Sequence, residues 1–506
     1  MKKLRLRSLL ILSIFLGLCF SPVLYSQTIG AYWPDDNWRV STPEEQGVDS
    51  QTLLDMFKDI QSSNLDFHSI LIIRNGYLIT EAYWTPYHKE TTHNIKSASK
   101  SVISALTGIA IKKKYIKTLE QKVSEFFPEY ANEPQKKDIT LRNMLTMTGG
   151  ISWNENAKEN PFDLENWKRL PMSDKPGERF VYNTMMPHMM SAILTKTSGM
   201  STRDFANDNL FKPIGIKNFQ WKKDDIGYYY GGAELFLTPR DMARFGFLFL
   251  NKGLWNGQQI IPVDWVEEST TAKIDVPPGL SYAYWWWIPA KGYMAWGFGG
   301  QYIIVRPDLN LVVVITANGA DKINLYKDFM ESFLEKNIFK AVKGYKPLPS
   351  NSLACQFLKE HLQKLENPEA VPIPTMPKTA SKISGRNYIL EQNKMNLKSF
   401  ALTFKNTNEC FWKLNMGKDI INFQVSLDGK YRITNTGLSL GGNPEENQSA
   451  CKGYWKSDSI FVIEHHMIGD PTKQIFELKF AGNKVAIGLS TFGFETNILT
   501  SGTMEK

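Results

Sequence analysis

Two apolar hairpin patterns stand far apart in this chain, each with an amphipathic helix pattern on its outer side. The first, HSILIIRNGYLITEAYW, turns at Asn75-Gly76, the dipeptide best suited to two consecutive positive φ angles in a short hairpin. Before it, residues 42–60 place Leu53, Leu54, Met56, Phe57 and Ile60 at helical spacing. The second hairpin, QYIIVRPDLNLVVVITA, spans 301–317 and turns at Pro307-Asp308-Leu309-Asn310, with LYKDFMESFLEKNIF following near 325–339. Between the hairpins the apolar period is helical, around 141–147, 186–197 and 239–250. This order predicts an α+β fold: an antiparallel sheet flanked by terminal helices, with a helical subdomain inserted between its halves.

That unit does not use up the chain. With 506 residues, it exceeds the roughly 250–300 at which one core stops growing, so two domains are expected. Residues 343–380 are rich in proline around one short helix, the composition of a semi-rigid linker. Beyond them, residues 381–506 show short alternating runs such as SFALTF, FWKLNM and SIFVIEHH, separated by Gly, Asn and Asp turns. They read as a small all-β domain, sandwich or barrel. The first domain then covers 27–342.

The N-terminus reads as a signal peptide over residues 1–26. MKKLRLR is basic, LLILSIFLGLCF is apolar, and Ser26 offers a small residue for cleavage. The apolar run ends too early for a stable membrane span. Export places the protein in the periplasm or outside the cell. Removing the four leader charges from the net +8 leaves +4, too mild and too evenly spread for a nucleic-acid partner. Of the cysteines that remain, Cys410 and Cys451 share one apparent domain, and export permits a disulfide between them. Oligomeric state leaves no mark in the sequence.

Ser97-Ala98-Ser99-Lys100 heads an apolar run, HNIKSASKSVISALTGIAI. On a helix, Lys100 lies three residues on and over the same face as Ser97. Val102, Ile103, Ala105, Leu106, Ile109 and Ala110 surround that face with hydrocarbon, so the helix is expected to be buried. Desolvation disfavours an ammonium and makes Lys100 a candidate base for the Ser97 hydroxyl. The same four residues also fit a helix-capping serine beside a solvated lysine, and the segment by itself weighs the two evenly.

Further segments resolve the balance. ITLRNMLTMTGGISW, KPGERFVYNTMMPHMMSAIL, GGAELFLTPRDMARFGFLFLNKGLWNGQQIIPVDWV and AWGFGGQYIIVRPDLNLVVVITAN follow the serine segment in order. Over residues 40–340 the chain resembles the serine β-lactamase and penicillin-recognising superfamily. The likeness is strongest to its class C-like esterase and 6-aminohexanoate-dimer hydrolase branches. The resemblance implies Ser97 as nucleophile, Lys100 as its base and Tyr182 as a proton shuttle. It implies an oxyanion hole from the backbone N–H groups of Ser97 and Phe298, and a pocket that includes Thr184, Trp296, Gly297 and Gly299. Neither metal nor cofactor is implied, and the seven histidines show no metal-ligand spacing.

Two departures narrow the substrate. Tyr182-Asn183-Thr184 stands where many members have Tyr-x-Asn. Ala295-Trp296-Gly297 stands where penicillin-recognising members have Lys-Thr-Gly, so the usual cation for a substrate carboxylate is missing. Trp296 is expected to add apolar bulk there. Arg306 could substitute, but ten strand positions on it need not face the cleft. The expected substrate is a small ester, amide or peptide, cleaved through a Ser97 acyl-enzyme. A β-lactamase or cell-wall D,D-peptidase, or a catalytically silent binding protein of the same fold, are the alternatives.

Other motifs carry less. Gly437-Leu438-Ser439-Leu440-Gly441 fits G-x-S-x-G but runs into a loop pattern, and Ser449-x-x-Lys452 runs into a strand. Glu464-His465-His466 reads as alternation at a strand surface. The run Tyr282, Tyr284, Trp285, Trp286, Trp287 reads first as core, with pocket lining as a second use.

Overall fold

Asn75 and Gly76 turn the chain with φ of +52° and +82°, the type I′ geometry whose twist matches two paired strands. They join β1 (Phe67–Arg74) to β2 (Tyr77–Tyr83). The computed structural model describes residues 32–505, apart from 35–36, 63–64, 134–135, 156–159, 161, 278, 320–329, 374, 437–447 and 492–496. The leader at 1–26, the Gly437–Gly441 motif and the start of the helix expected at 325–339 lie outside the described residues.

Eleven further strands follow in this domain. They are β3 (His93–Asn94), β4 (Gln220–Trp221), β5 (Leu235–Leu237), β6 (Leu254–Trp255), β7 (Gln258–Gln259) and β8 (Ile274–Val276). Then come β9 (Leu280–Tyr282), β10 (Trp287–Ile288), β11 (Tyr293–Gly297), β12 (Gln301–Arg306) and β13 (Leu311–Ala317). Eight form one antiparallel sheet in the order β2-β1-β13-β12-β11-β10-β9-β8. The distant hairpins meet through β1 and β13, registered from Phe67 opposite Ala317 to Arg74 opposite Leu311. Both strands are buried on both faces, which is why their sequences run apolar without alternating.

Among the helices are α1 (Ser50–Ser62), α2 (Ser99–Lys112), α3 (Leu141–Leu145), α4 (Met185–Ser198), α5 (Pro239–Leu250) and α6 (Ser352–Glu366). Leu53, Met56, Phe57 and Ile60 of α1 pack with Ile70, Ile72, Val313 and Ile315 on one face of the sheet. The other face meets α5 and, beyond it, the helical subdomain that holds α2 and α4. At Gly246 of α5 a Cβ would lie 2.7 Å from Val312 Cγ1, so this helix rides directly on the strands. The proline-rich stretch is more than a connector: α6 has 15 residues, and its Leu358 and Leu365 are buried in the α1 layer.

Ten strands make the C-terminal domain: β14 (Asn387–Leu390), β15 (Ser399–Phe404), β16 (Glu409–Asn415), β17 (Ile420–Ser426) and β18 (Arg432–Asn435) come first. β19 (Gln448–Ser457), β20 (Ile460–Met467), β21 (Lys473–Ala481), β22 (Lys484–Thr491) and β23 (Asn497–Met504) complete it. They run β17-β16-β15-β14-β23-β22-β21-β20-β19-β18, and a β17–β19 pairing closes them into a barrel. Cys410 and Cys451 are buried free thiols in its core.

One expectation about this domain fails. His465 and His466 are both buried, not alternating at a surface. β20 has the barrel core on one side and the first domain on the other. His465 hydrogen-bonds Gln474 and Ser449, while His466 faces Tyr87 of the first domain at 3.1 Å. Ser449 and Lys452 lie on strand β19, three residues apart and therefore on opposite faces.

Candidate active site

Ser97 sits in a short turn, Lys96–Ala98, just before α2. Every residue of α2 from Ser99 to Ala110 is buried, as its apolar sequence requires. Lys100 is therefore 1% exposed, while Ser97 at the helix mouth stays half-buried. The Lys100 Nζ donates to Ser97 Oγ at 2.8 Å, to Thr184 Oγ1 at 3.0 Å and to the Gly232 carbonyl at 2.9 Å. Burial pulls its pKa down from 10.5 to about 8, against the opposing pull of the Glu155 carboxylate.

Each partner is held by local structure. Thr184 directly precedes α4. Its hydroxyl donates to Glu155 Oε2 at 3.0 Å and its N–H to Glu155 Oε1 at 2.5 Å. Because a carboxylate only accepts, the threonine proton points at Glu155 and its lone pair at Lys100. Gly232 reaches the lysine because neither Gly231 nor Gly232 carries a side chain. A Cβ on Gly231 would lie 1.9 Å from the Pro187 carbonyl oxygen, and one on Gly232 would lie 2.5 Å from Thr184 Cγ2.

Tyr182 lies two residues before Thr184. Its hydroxyl hydrogen-bonds Ser97, and its ring centroid is 4.9 Å from Lys100 Nζ. Desolvation raises the phenol pKa well above its ordinary value, and the bond to Ser97 offsets part of that rise. The ring stacks on Trp287 at 5.9 Å. Of the aromatic run, Tyr282, Tyr284, Trp285 and Trp286 are core, and both Tyr282 and Trp287 lie against the Tyr182 ring.

The end of β11 closes the other side. A Cβ on Gly297 would fall 2.1 Å from the Ile95 carbonyl oxygen, so this strand abuts the backbone leading into Ser97. Phe298, next along, has a side chain 45% exposed. Gly299 follows with φ +80°.

Alternation along β11 separates two residues expected to act together. Ala295 packs with the α2 side of the sheet. Trp296 turns to the opposite face, where it stacks on Tyr302 at 5.7 Å. Its bulk therefore does not fill the position of the missing lysine. Arg306 is likewise spent elsewhere, in a double hydrogen bond to Asp308 at 2.9 and 2.8 Å.

Sequence reasoning missed Glu155 and the role of the Gly232 carbonyl. Gly231-Gly232 was visible as a motif. Glu155 continues the GGISW segment, but no spacing rule marks it as a partner of Thr184. Among the described residues no cluster of three or more His, Cys, Asp or Glu is arranged to hold a metal ion.

Comparison with known proteins fits this geometry. The Beta-lactamase family model matches residues 68–328, just over half of the chain. The 6-aminohexanoate-dimer hydrolase of Paenarthrobacter ureafaciens is 22% identical over 318 residues, 56% of this chain and 80% of that protein. An uncharacterised protein of Alkalihalophilus pseudofirmus is 22% identical over 298 residues, 49% of this chain and 83% of that protein. Among solved structures, a Bacillus anthracis protein assigned by name to the 6-aminohexanoate-dimer hydrolases superposes with a TM-score of 0.52 at 21% identity. That match covers 63% of this chain and 89% of the other.

Proposed function

Because the chain belongs to the Beta-lactamase family, we propose that it is an exported serine hydrolase cleaving a small uncharged ester or amide through an acyl-enzyme on Ser97. The observation that carries this reading is the contact between Lys100 Nζ and Ser97 Oγ, 2.8 Å long and closed to solvent on the lysine side.

The chemistry follows from what each atom can donate. Protonated, Lys100 satisfies three acceptors with three N–H bonds. Neutral, it keeps two N–H bonds for Thr184 and Gly232, which leaves its lone pair aimed at Ser97. The depressed pKa brings that neutral form within reach near pH 8. As Lys100 takes the hydroxyl proton, Ser97 Oγ attacks the acyl carbon. Tyr182, kept a neutral phenol by its raised pKa, relays a proton to the departing alkoxide or amine. The N–H groups of Ser97 and Phe298 would receive the developing oxyanion; one such donor is worth roughly 3–4 kcal/mol. Water then releases the acid by the reverse route.

Charge around the site favours uncharged substrates. Position 295 supplies no cation and Arg306 is paired with Asp308. Lys96 and Lys222, the cations flanking the Ser97 turn, are bound to Asp470 and Glu234. A substrate carboxylate entering here would lose its water without gaining a partner from Arg306, Lys96 or Lys222.

The test is labelling. The mature protein should react with a fluorophosphonate at Ser97, detected by intact mass and peptide mapping, and hydrolyse p-nitrophenyl butyrate. Ser97→Ala should lose both. Turnover that survives in Ser97→Ala would refute the assignment. A folded wild-type protein that takes no label and hydrolyses neither esters nor amides would favour a silent binding protein instead.

A further inference from the structure

The turn between β20 and β21, residues 468–472, presses on the catalytic domain. The Gly469 carbonyl accepts the Asn94 N–H at 2.6 Å, and a Cβ on Gly469 would lie 2.5 Å from the Thr92 carbonyl oxygen. Pro471 packs on Gly299, where a Cβ would fall 2.7 Å from the proline Cβ. Between them Asp470 Oδ2 lies 2.8 Å from the Nζ of Lys96, the residue immediately before Ser97. Thr472 Oγ1 donates to the other Asp470 oxygen at 2.5 Å. One turn of the barrel thus touches both segments that flank the nucleophile: the strand entering Ser97 and the loop that carries Phe298.

Lys96 is the unusual residue here. Its φ of +48° is left-handed, a conformation that a residue with a Cβ keeps only where its surroundings hold it. Two groups do so from the catalytic domain. Asn94 Oδ1 accepts the Lys96 N–H at 3.0 Å, and Glu234 stands 3.6 Å from Nζ. Glu234 is already engaged by Lys222 at 2.8 Å and by Asn94 at 2.9 Å. The close contact to the lysine is the one from Asp470. The backbone angle at Lys96 sets the direction in which the chain enters Ser97, and so where Oγ points.

From these contacts we infer that Asp470, a residue of the C-terminal barrel, is a positioning residue for the nucleophile. It holds the Lys96 side chain, and with it the left-handed turn that aims Ser97 Oγ at the acyl carbon. The inference rests on the reading of Ser97 as nucleophile and extends it: the barrel is part of the active site.

A double-mutant cycle in the full-length protein tests this, with p-nitrophenyl butyrate turnover and the rate of fluorophosphonate labelling as readouts. Asp470→Asn keeps the shape and removes the charge. It should lower kcat and the labelling rate about tenfold or more, with KM within about twofold, because misaimed atoms slow chemistry rather than binding. Asp470→Glu should recover a substantial part of the loss. In a Lys96→Gly background, where φ +48° needs no support, Asp470→Asn should have less than about a twofold further effect. Equal losses in both backgrounds, or wild-type kcat in Asp470→Asn, would overturn the inference. If Asp470→Asn does not fold, Asp470→Ser takes its place in the cycle: a kcat loss that disappears in the Lys96→Gly background supports the inference, and wild-type kcat or a loss confined to KM overturns it. Absence of label on wild-type Ser97 would strike the nucleophile assignment itself, whereas a labelled enzyme indifferent to Asp470 strikes this inference alone.

Discussion

Lys100 works as a base because it is buried, and the same burial fixes how its activity should depend on pH. The neutral amine is the reactive form, and its pKa lies near 8. With p-nitrophenyl butyrate, log kcat/KM is expected to rise with unit slope from pH 6 and to level off above about pH 8. A flat profile over that range would remove Lys100 from the role. Lys100→Met should lower kcat by about 10²–10⁴-fold, the span of general-base catalysis, with the fold intact by circular dichroism. A neighbouring position sets substrate charge. Neutral esters should be processed with higher kcat/KM than penicillins, and Ala295→Lys, on the α2 face of β11, should raise the penicillin acylation rate rather than the ester rate. Efficient penicillin turnover by the wild-type protein, undiminished in Arg306→Ala, would show that the missing cation does not govern selectivity.

Elements meet at the site because small residues let them approach. The clearest case is the Gly231-Gly232 loop against the start of α4. Gly232→Ala would force a methyl to within 2.5 Å of Thr184 Cγ2 and 2.8 Å of the Thr184 carbonyl oxygen, displacing the acceptors of Lys100. Its kcat should fall at least about tenfold while the melting temperature drops by only a few degrees, since a shift near 1 Å suffices to disturb chemistry. Kinetics equal to wild type would mean the Gly232 carbonyl is not needed to orient the amine. The α6 helix makes the complementary point for stability. Its buried Leu358 and Leu365 lie on the α1 layer, so the proline-rich stretch contributes side chains to the first domain's core.

At the scale of the whole molecule, the two domains are joined through a buried polar cluster. His68 stacks on Tyr87 at 3.8 Å, Tyr87 bonds His466, and His93, Tyr431, Asp66, Glu464 and Lys473 surround them. Burial holds His68 near 3 and His466 near 4, against 6.5 in an unfolded chain. Their folded pKa values are depressed, so the unfolded state binds more protons between those limits. The stability these rings lend is whole above about pH 6.5 and is lost as pH falls towards 4. The melting temperature should therefore drop by about 5 °C or more between pH 7.5 and pH 5. Neither nitrogen of His68 has a hydrogen-bond partner among the described residues. His68→Phe should therefore lessen that dependence, leaving the part due to His466, without loss at pH 7.5. An unchanged slope in His68→Phe would place the acid sensitivity elsewhere.

Local chemistry determined much of this protein. Asn75-Gly76 dictated a type I′ turn because few other dipeptides take two positive φ angles in succession. The hydrocarbon around Ser97-x-x-Lys100 dictated a buried α2, and burial dictated a weakly basic lysine. These are short-range facts, set within a turn or two of backbone. Tertiary structure decided what depended on distant partners. Glu155 is linked to Lys100 by the Thr184 hydroxyl, Trp296 was sent to the other face by strand alternation, and His465 and His466 are buried because another domain covers their strand. Asp470 pairs with Lys96, the residue before Ser97, although 374 positions separate the pair in the chain. No periodicity records such a contact, because it is created by packing one domain on another.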